Sequence, residues 1–173
     1  MTFSFLRISG SPMIFLGVAL MTGCGIYKFN GASINPEAKT VNVKLITSKA
    51  PLAPPTLGEN LTEVLRNKIT SQSRLVQVNS DSADYVFNGY VSGYDITNAA
   101  VINVEQAAAL RLTITVTMDF KSRLSPKDNF NQPFSRFEDF SASQSITQVQ
   151  DQLITQINKD ISDDIFNRAF VNW

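Results

Sequence analysis

Few of the 173 residues could do covalent or metal chemistry, and the shortage narrows the function. The chain has no histidine and a single cysteine, Cys24. A triad or proton shuttle built on histidine needs an imidazole that titrates near neutrality, and structural zinc sites draw on clusters of Cys and His, so neither fits this chain. One thiol also excludes an internal disulfide. The remaining candidates are carboxylates, of which Glu138-Asp139 and Asp163-Asp164 stand as adjacent pairs. Neighbours on a strand or helix point apart, so neither pair sets two carboxyl groups across one reacting bond. They read as solvated faces, with Arg136 beside the first pair to form a surface ion pair. No catalytic residue, metal or cofactor is expected.

Charge removes another class of partner. Fifteen Lys and Arg balance fifteen Asp and Glu. Binding nucleic acid takes a surplus of basic side chains gathered on one face, which this balance argues against. With 43% apolar and 17% charged residues, the chain reads as a folding one with a single ordinary domain.

Cys24 has a definite setting. Arg7 and a polar break at Ser9-Gly10-Ser11-Pro12 precede the apolar run Met13 to Met21, the layout of a signal peptide. That run falls short of the roughly 20 apolar residues that a membrane-spanning helix requires. Leu20-Met21-Thr22-Gly23-Cys24 resembles a bacterial lipobox. The resemblance implies cleavage before Cys24, a diacylglycerol on its thiol and a further acyl chain on its amine. Two or more acyl chains hold a protein stably to a membrane, at about 0.8 kcal/mol per buried CH₂. Gly25, where an Asp is absent, resembles the pattern of lipoproteins passed to the outer membrane. The expected organisation is therefore a lipoprotein signal peptide at 1–23, a lipidated tether at 24–39 and one domain at 40–173.

The elements of that domain follow from periodicity. Thr40 to Ile46 alternates like a half-buried strand, and Pro51, Pro54 and Pro55 end the pattern. Thr56-Leu57-Gly58-Glu59 fits a capping box, and Leu57, Leu61, Val64, Leu65 and Ile69 make one stripe, which predicts a helix over 57–72. Short and long strands are expected at 75–78 and 85–96, the second with Tyr85, Phe87, Gly89 and Val91 on one side and Tyr94 on the other. Residues 97–108 read as a connection. Phe134, Phe137 and Phe140 recur every third residue, which suggests a strand with a bulge, its rings packed in the core. Ser145-Ile146-Thr147-Gln148 offers another capping box, and a long helix from 145 to 173 carries Ile146, Val149, Leu153, Ile157, Ile161, Ile165, Ala169 and Phe170 along one side. The acidic polar face of that helix fits a lid on the domain's own core better than a membrane-surface helix.

The clearest pattern lies between. Leu110, Leu112, Ile114, Val116, Met118 and Phe120 alternate without a fault with Arg111, Thr113, Thr115, Thr117, Asp119 and Lys121. One face must be core, which leaves the Arg111, Thr113, Thr115 and Thr117 face to solvent or to a partner. The order is β-α-β-β-β-α: a parallel crossover through the first helix, then antiparallel hairpins. This is an α+β two-layer sandwich, a mixed β-sheet with both α-helices packed on one face.

Several of these segments together resemble the LptE family of outer-membrane lipopolysaccharide-assembly lipoproteins. They are Cys24-Gly25 with Tyr27, Thr40-Val41-Asn42-Val43, Leu61 with Leu65-Arg66-Asn67, Gln106-Ala107-Ala108 through Arg111 to Val116, and Asp164-Ile165-Phe166. The resemblance implies an outer-membrane protein, lipid-anchored on the periplasmic side, with no enzymatic activity. It implies a plug and assembly partner for a large LptD-like outer-membrane β-barrel that delivers lipopolysaccharide to the outer leaflet. It also implies lipopolysaccharide contact through basic loop residues, for which this chain offers the cluster Lys121, Arg123 and Lys127. The docking surface expected for the barrel is the Arg111, Thr113, Thr115 and Thr117 face. The competing reading is an envelope lipoprotein of similar fold that scaffolds another complex or binds a small apolar ligand.

Overall fold

The computed structural model describes residues 34–99 and 108–171. The signal segment, Cys24 and most of the tether lie outside the described residues, as do most of the 97–108 connection and the chain's last two residues. The elements are β1 (Thr40–Val43), β2 (Thr47–Ser48), α1 (Leu57–Gln72), β3 (Val76–Gln77), β4 (Tyr85–Asn98), β5 (Ala109–Ser122), β6 (Phe130–Ser141) and α2 (Ile146–Phe170), with a 3₁₀ turn at Pro126–Asp128. The elements keep the expected order, β3 falls within the short strand expected at 75–78, and the two-residue strand β2 is added. The sheet runs β3-β1-β4-β5-β6, with β2 also on β4. Strands β1, β2 and β3 pair in parallel, while β4, β5 and β6 form an antiparallel meander. This is the α+β sandwich with a mixed sheet, and the two helices pack on each other and on the sheet.

Alternation in β5 works as the sequence requires. Leu112, Ile114, Val116, Met118 and Phe120 are fully buried. They meet the stripes Leu57, Leu61, Leu65 and Ile69 of α1 and Ile157, Ile161 and Ile165 of α2 in one core. An aromatic cluster closes one end, with ring centroids of Phe87 and Phe120 4.8 Å apart, Phe120 and Phe130 5.1 Å, and Tyr85 and Phe170 5.2 Å. Each such pair adds about 0.5–1.5 kcal/mol to the burial itself. Gly89 leaves room beneath the sheet for Met118, whose Cε would lie 2.8 Å from an added Cβ.

Four expectations need correction. Strand β1 stops at Val43 and does not reach Ile46; Leu45 turns outward, 54% exposed, while Ile46 turns in toward α1. Thr56 makes no capping bond. The hydroxyl that serves this region is that of buried Thr62, which donates to the Gly58 carbonyl at 2.7 Å and accepts the Ile46 N–H at 2.9 Å. The α2 box does form, with Gln148 Oε1 taking the Ser145 N–H at 3.2 Å. Strand β6 carries no bulge, since its register with β5 is continuous from Ala109↔Ser141 to Phe120↔Phe130. Phe134 and Phe140 point into the core and Phe137 points away, 50% exposed, as plain alternation demands. The bulge sits instead in β4, between Val91 and Gly93, and returns Tyr94 to the buried side. One extra residue flips every side chain beyond it.

Candidate functional site: the outer face of the sheet

The three antiparallel strands present a face turned away from the helices. By register Arg111 lies between Thr97 and Asp139, Thr113 between Asp95 and Phe137, Thr115 between Gly93 and Ser135, and Thr117 between Tyr90 and Pro133. All four predicted residues are half-buried on this one surface.

Arg111 is held on two sides. Its Nε and Nη2 donate to Asp139 Oδ1 and Oδ2 at 2.7 and 2.9 Å, and its guanidinium carbon lies 3.7 Å above the Phe137 ring centroid. The hydrogen bonds from Arg111 hold the Asp139 carboxyl below the usual carboxylate range, and the same bonds raise the Arg111 pKa. The charge is therefore matched within the face. Below it hydroxyls connect the strands: Thr115 Oγ1 and Ser135 Oγ are 3.1 Å apart, Thr117 Oγ1 donates to Ser92 Oγ at 3.3 Å, and Ser92 Oγ donates to the Thr115 carbonyl at 3.3 Å. Thr113 has no side-chain hydrogen bond among the described residues. Lys49 Nζ sits 3.7 Å from the Tyr90 ring centroid at the edge of the same face. Two cation–π contacts and a row of hydroxyls make a surface rich in hydrogen-bonding groups, and Asp95, exposed beside Thr113, adds a carboxylate with no ion-pair partner among the described residues. Sequence reasoning missed Phe137, Asp139, Ser135, Ser92 and Tyr90 here, because cross-strand register is not written in any one strand.

The basic cluster divides in the fold: Lys121 and Arg123 line one groove, and Lys127 does not. Lys121 is exposed and lies 3.4 Å from Asp119. Arg123 pairs with Asp84. Lys127 lies in the 3₁₀ turn and lines a different groove, with Arg168 and Asp128. Asp84 is the best-held charge among the described residues: it is buried, and its Oδ2 accepts from the Lys39 N–H, the Thr40 N–H and the Thr40 hydroxyl, each at 2.9 Å. The backbone bond from Lys39 is the largest cause of a carboxyl pKa far below the ordinary value, with further bonds from Thr40 and Arg123 outweighing burial. This node ties the entry of β1 to the entry of β4 and the exit of β5. Among the described residues no group of acidic or cysteine side chains is placed to hold a metal, and no helix is long and apolar enough to cross a membrane.

The sequence profile of the LptE family, described as lipopolysaccharide-assembly, matches residues 38–169. The chain belongs to the LptE family. The match begins before β1 and ends inside the last turn of α2, so the family region contains both helices and the whole sheet. Among solved structures, a minor lipoprotein from Acinetobacter baumannii is similar at 18% identity, covering 75% of this chain and 91% of that one with a TM-score of 0.50. The hypothetical protein CT253 from Chlamydia trachomatis is similar at 10% identity, covering 78% and 99%, with a TM-score of 0.52. At these identities the likeness is one of fold. No curated protein sequence matches the chain significantly.

Proposed function

We propose that this LptE-family member is a lipoprotein of the outer membrane that plugs and helps assemble an LptD-like β-barrel for lipopolysaccharide export, without enzymatic activity. Family membership supports the broad role, and the outer face of the sheet is the observation that carries the finer one. A plug in a water-filled barrel needs a surface that hydrogen-bonds to a polar wall and buries no unpaired charge, since an unmatched buried charge costs several kcal/mol. Arg111 neutralised by Asp139, with the hydroxyls of Thr113, Thr115 and Thr117 beside it, supports this reading, and the exposed Asp95 beside Thr113 would take a hydrogen-bond donor or a cation from the barrel wall. Lipopolysaccharide contact through Lys121, Arg123 and Lys127 has weaker support, because Asp119 and Asp84 already engage two of the three.

The anchor in this proposal is Cys24, acylated at the start of a 24–39 tether that leads into the 40–173 domain. Cys24→Ser should abolish cleavage and acylation, read as a shift in intact mass; a wild-type chain without acyl groups would sink the anchor. The docking test places a photo-crosslinking residue at Thr113, Thr115 or Thr117, and at Gln156 on the exposed side of α2. Crosslinks to a barrel from the three sheet positions are expected. Crosslinks from Gln156 alone would move the interface to the helices, and none from either would remove the plug role for these surfaces.

A further inference from the structure

The sheet has a long open edge that neither the fold nor the plug role uses. The Ala142 N–H bonds to the Ala108 carbonyl and the Ala99 N–H to the Ala109 carbonyl. Those two bonds fix the phase of the ladder, because residues of an antiparallel strand turn their N–H and C=O alternately to one neighbour and the other. In β6 the even-numbered residues therefore bond to β5, and Asn131, Pro133, Ser135, Phe137 and Asp139 turn theirs outward. Pro133 fits this phase, since a proline is tolerated where no ladder donor is needed. No hydrogen bond among the described residues reaches the backbone of Ser135, Phe137 or Asp139. Phe137 is half exposed at the centre of this stretch.

A closed barrel offers no free strand to such an edge, whereas a second copy of the chain does. We propose that β6 pairs antiparallel with β6 of a second copy, about a twofold axis through Phe137, to give a continuous sheet in the protein that has not engaged a barrel. The register follows from charge. Centring the axis on Phe137 sets Phe137 against its own copy, Ser135 against Asp139, and Arg136 against Glu138 on both sides of the axis. The phase of the ladder allows slips only in steps that keep outward residues opposite outward residues. Moving the axis to Arg136 sets Arg136 against itself, and moving it to Glu138 sets Glu138 against itself. Like charges directly opposite are destabilising, so both neighbouring registers are disfavoured and the central one is chosen. Arg136 already chelates Asp164 of α2 with Nε and Nη2, both at 2.6 Å, which fixes its side chain beside the edge. Glu138 has no cation among the described residues and gains one. The arrangement is isologous, so every contact occurs twice.

Disulfide trapping of the full chain in intact cells of a Gram-negative host tests this. Phe137→Cys sets two thiols on paired residues about 5.5 Å apart between Cα atoms, within disulfide range, and should give a covalent dimer under mild oxidation. Ser135→Cys should not, because Asp139 of the copy faces it and its own counterpart is displaced along the strand by roughly 14 Å at about 3.4 Å per residue. Leu52→Cys, on a loop residue 80% exposed, and the unsubstituted chain with Cys24 give the background. Adding Glu138→Arg to Phe137→Cys sets Arg against Arg and should lower the dimer yield about tenfold, the effect of roughly 1.4 kcal/mol. A Phe137→Cys yield no higher than that of Leu52→Cys overturns the proposal. So does crosslinking by Ser135→Cys equal to that of Phe137→Cys, or a yield that Glu138→Arg leaves unchanged.

Discussion

The two halves of the sheet are held by different means. In the antiparallel half, β4, β5 and β6 run for twelve to fourteen residues each, and backbone ladders do most of the joining. In the parallel half, β1, β2 and β3 have four, two and two residues, too few for a ladder to fix them. Side chains take over there. Asp84 gathers the start of β1, and Arg66 sends Nε and Nη2 to the Val43 carbonyl at 3.1 and 2.6 Å where β1 ends. Thr62 receives Ile46, and Asn42, itself buried, donates to the Ser80 carbonyl at 3.0 Å. A hydrogen bond contributes about 1 kcal/mol net, but a buried group left without its partner costs about 1–3 kcal/mol. The parallel half should therefore fail one polar residue at a time, and the antiparallel half only when its apolar face is breached.

The largest breach is Val116→Asp. Val116 is fully buried at the middle of the sheet, and an unpaired carboxylate there costs several kcal/mol against a total stability of about 5–15 kcal/mol. The expected outcome is loss of the cooperative thermal transition in circular dichroism; a melt near the wild-type temperature would mean that the face assignment is wrong.

Next comes Asp84→Ala, which leaves the Lys39 and Thr40 donors without an acceptor and should cost about 3 kcal/mol or more. Asp84→Asn adds a pH signature. The folded-state pKa of Asp84 lies below its unfolded value. Its stabilisation is thus complete above the ordinary carboxylate range and lost as pH falls through that range toward the lowered native value. The melting-temperature gap between wild type and Asp84→Asn should be widest at neutral pH and should narrow in acid. A gap independent of pH would remove Asp84 from the role described.

Gly58→Ala is expected to be milder. A Cβ on Gly58 would lie 2.1 Å from the Ile46 carbonyl oxygen, so the first turn of α1 must move off the chain after β1. Overpacking of this kind costs about 1–3 kcal/mol. A melting temperature equal to wild type would show that the two backbones separate without cost.

The same division decides what was legible in the sequence. A period of two over twelve residues identifies β5, and a stripe at helical spacing identifies α1 to its terminal residues, because burial of one face repeats along the element. The parallel half offers no repeat of useful length. Val41 and Val43 alternate, but the pattern carries on through Leu45, where the strand has ended, and Asp84 looks like any residue of a Ser-rich turn. The capping box at Thr56 does not form because Thr56 already has helical dihedrals, φ −78° and ψ −10°, whereas a capping residue is extended. At the outer face, Arg111, Thr113, Thr115 and Thr117 could be read as one surface from β5 alone. Their partners Asp139, Ser135 and Phe137 depend on a register set by the turn between β5 and β6, and Ser92 on a bulge that no residue type announces.

The smallest expected effect on stability is also the one that bears most on function. Thr115→Val with Thr117→Val keeps the shape and β-branching of both side chains and removes only hydroxyls on a half-buried face. The bonds lost, to Ser135 and Ser92, join exposed groups that water can serve instead. Stability should therefore stay within about 0.5 kcal/mol of wild type. A docked face has no such water, so the same two hydroxyls matter more there than in the free protein, and co-purification of the barrel from detergent extracts should fall several-fold while the melt is unchanged. Arg111→Met tests the charged end of the face separately, because it leaves Asp139 uncompensated against a barrel wall but solvated in the free chain. If both variants retain the barrel at wild-type yield with unchanged melts, the outer face is a solvent face, and the surface that docks must be sought on the helical layer.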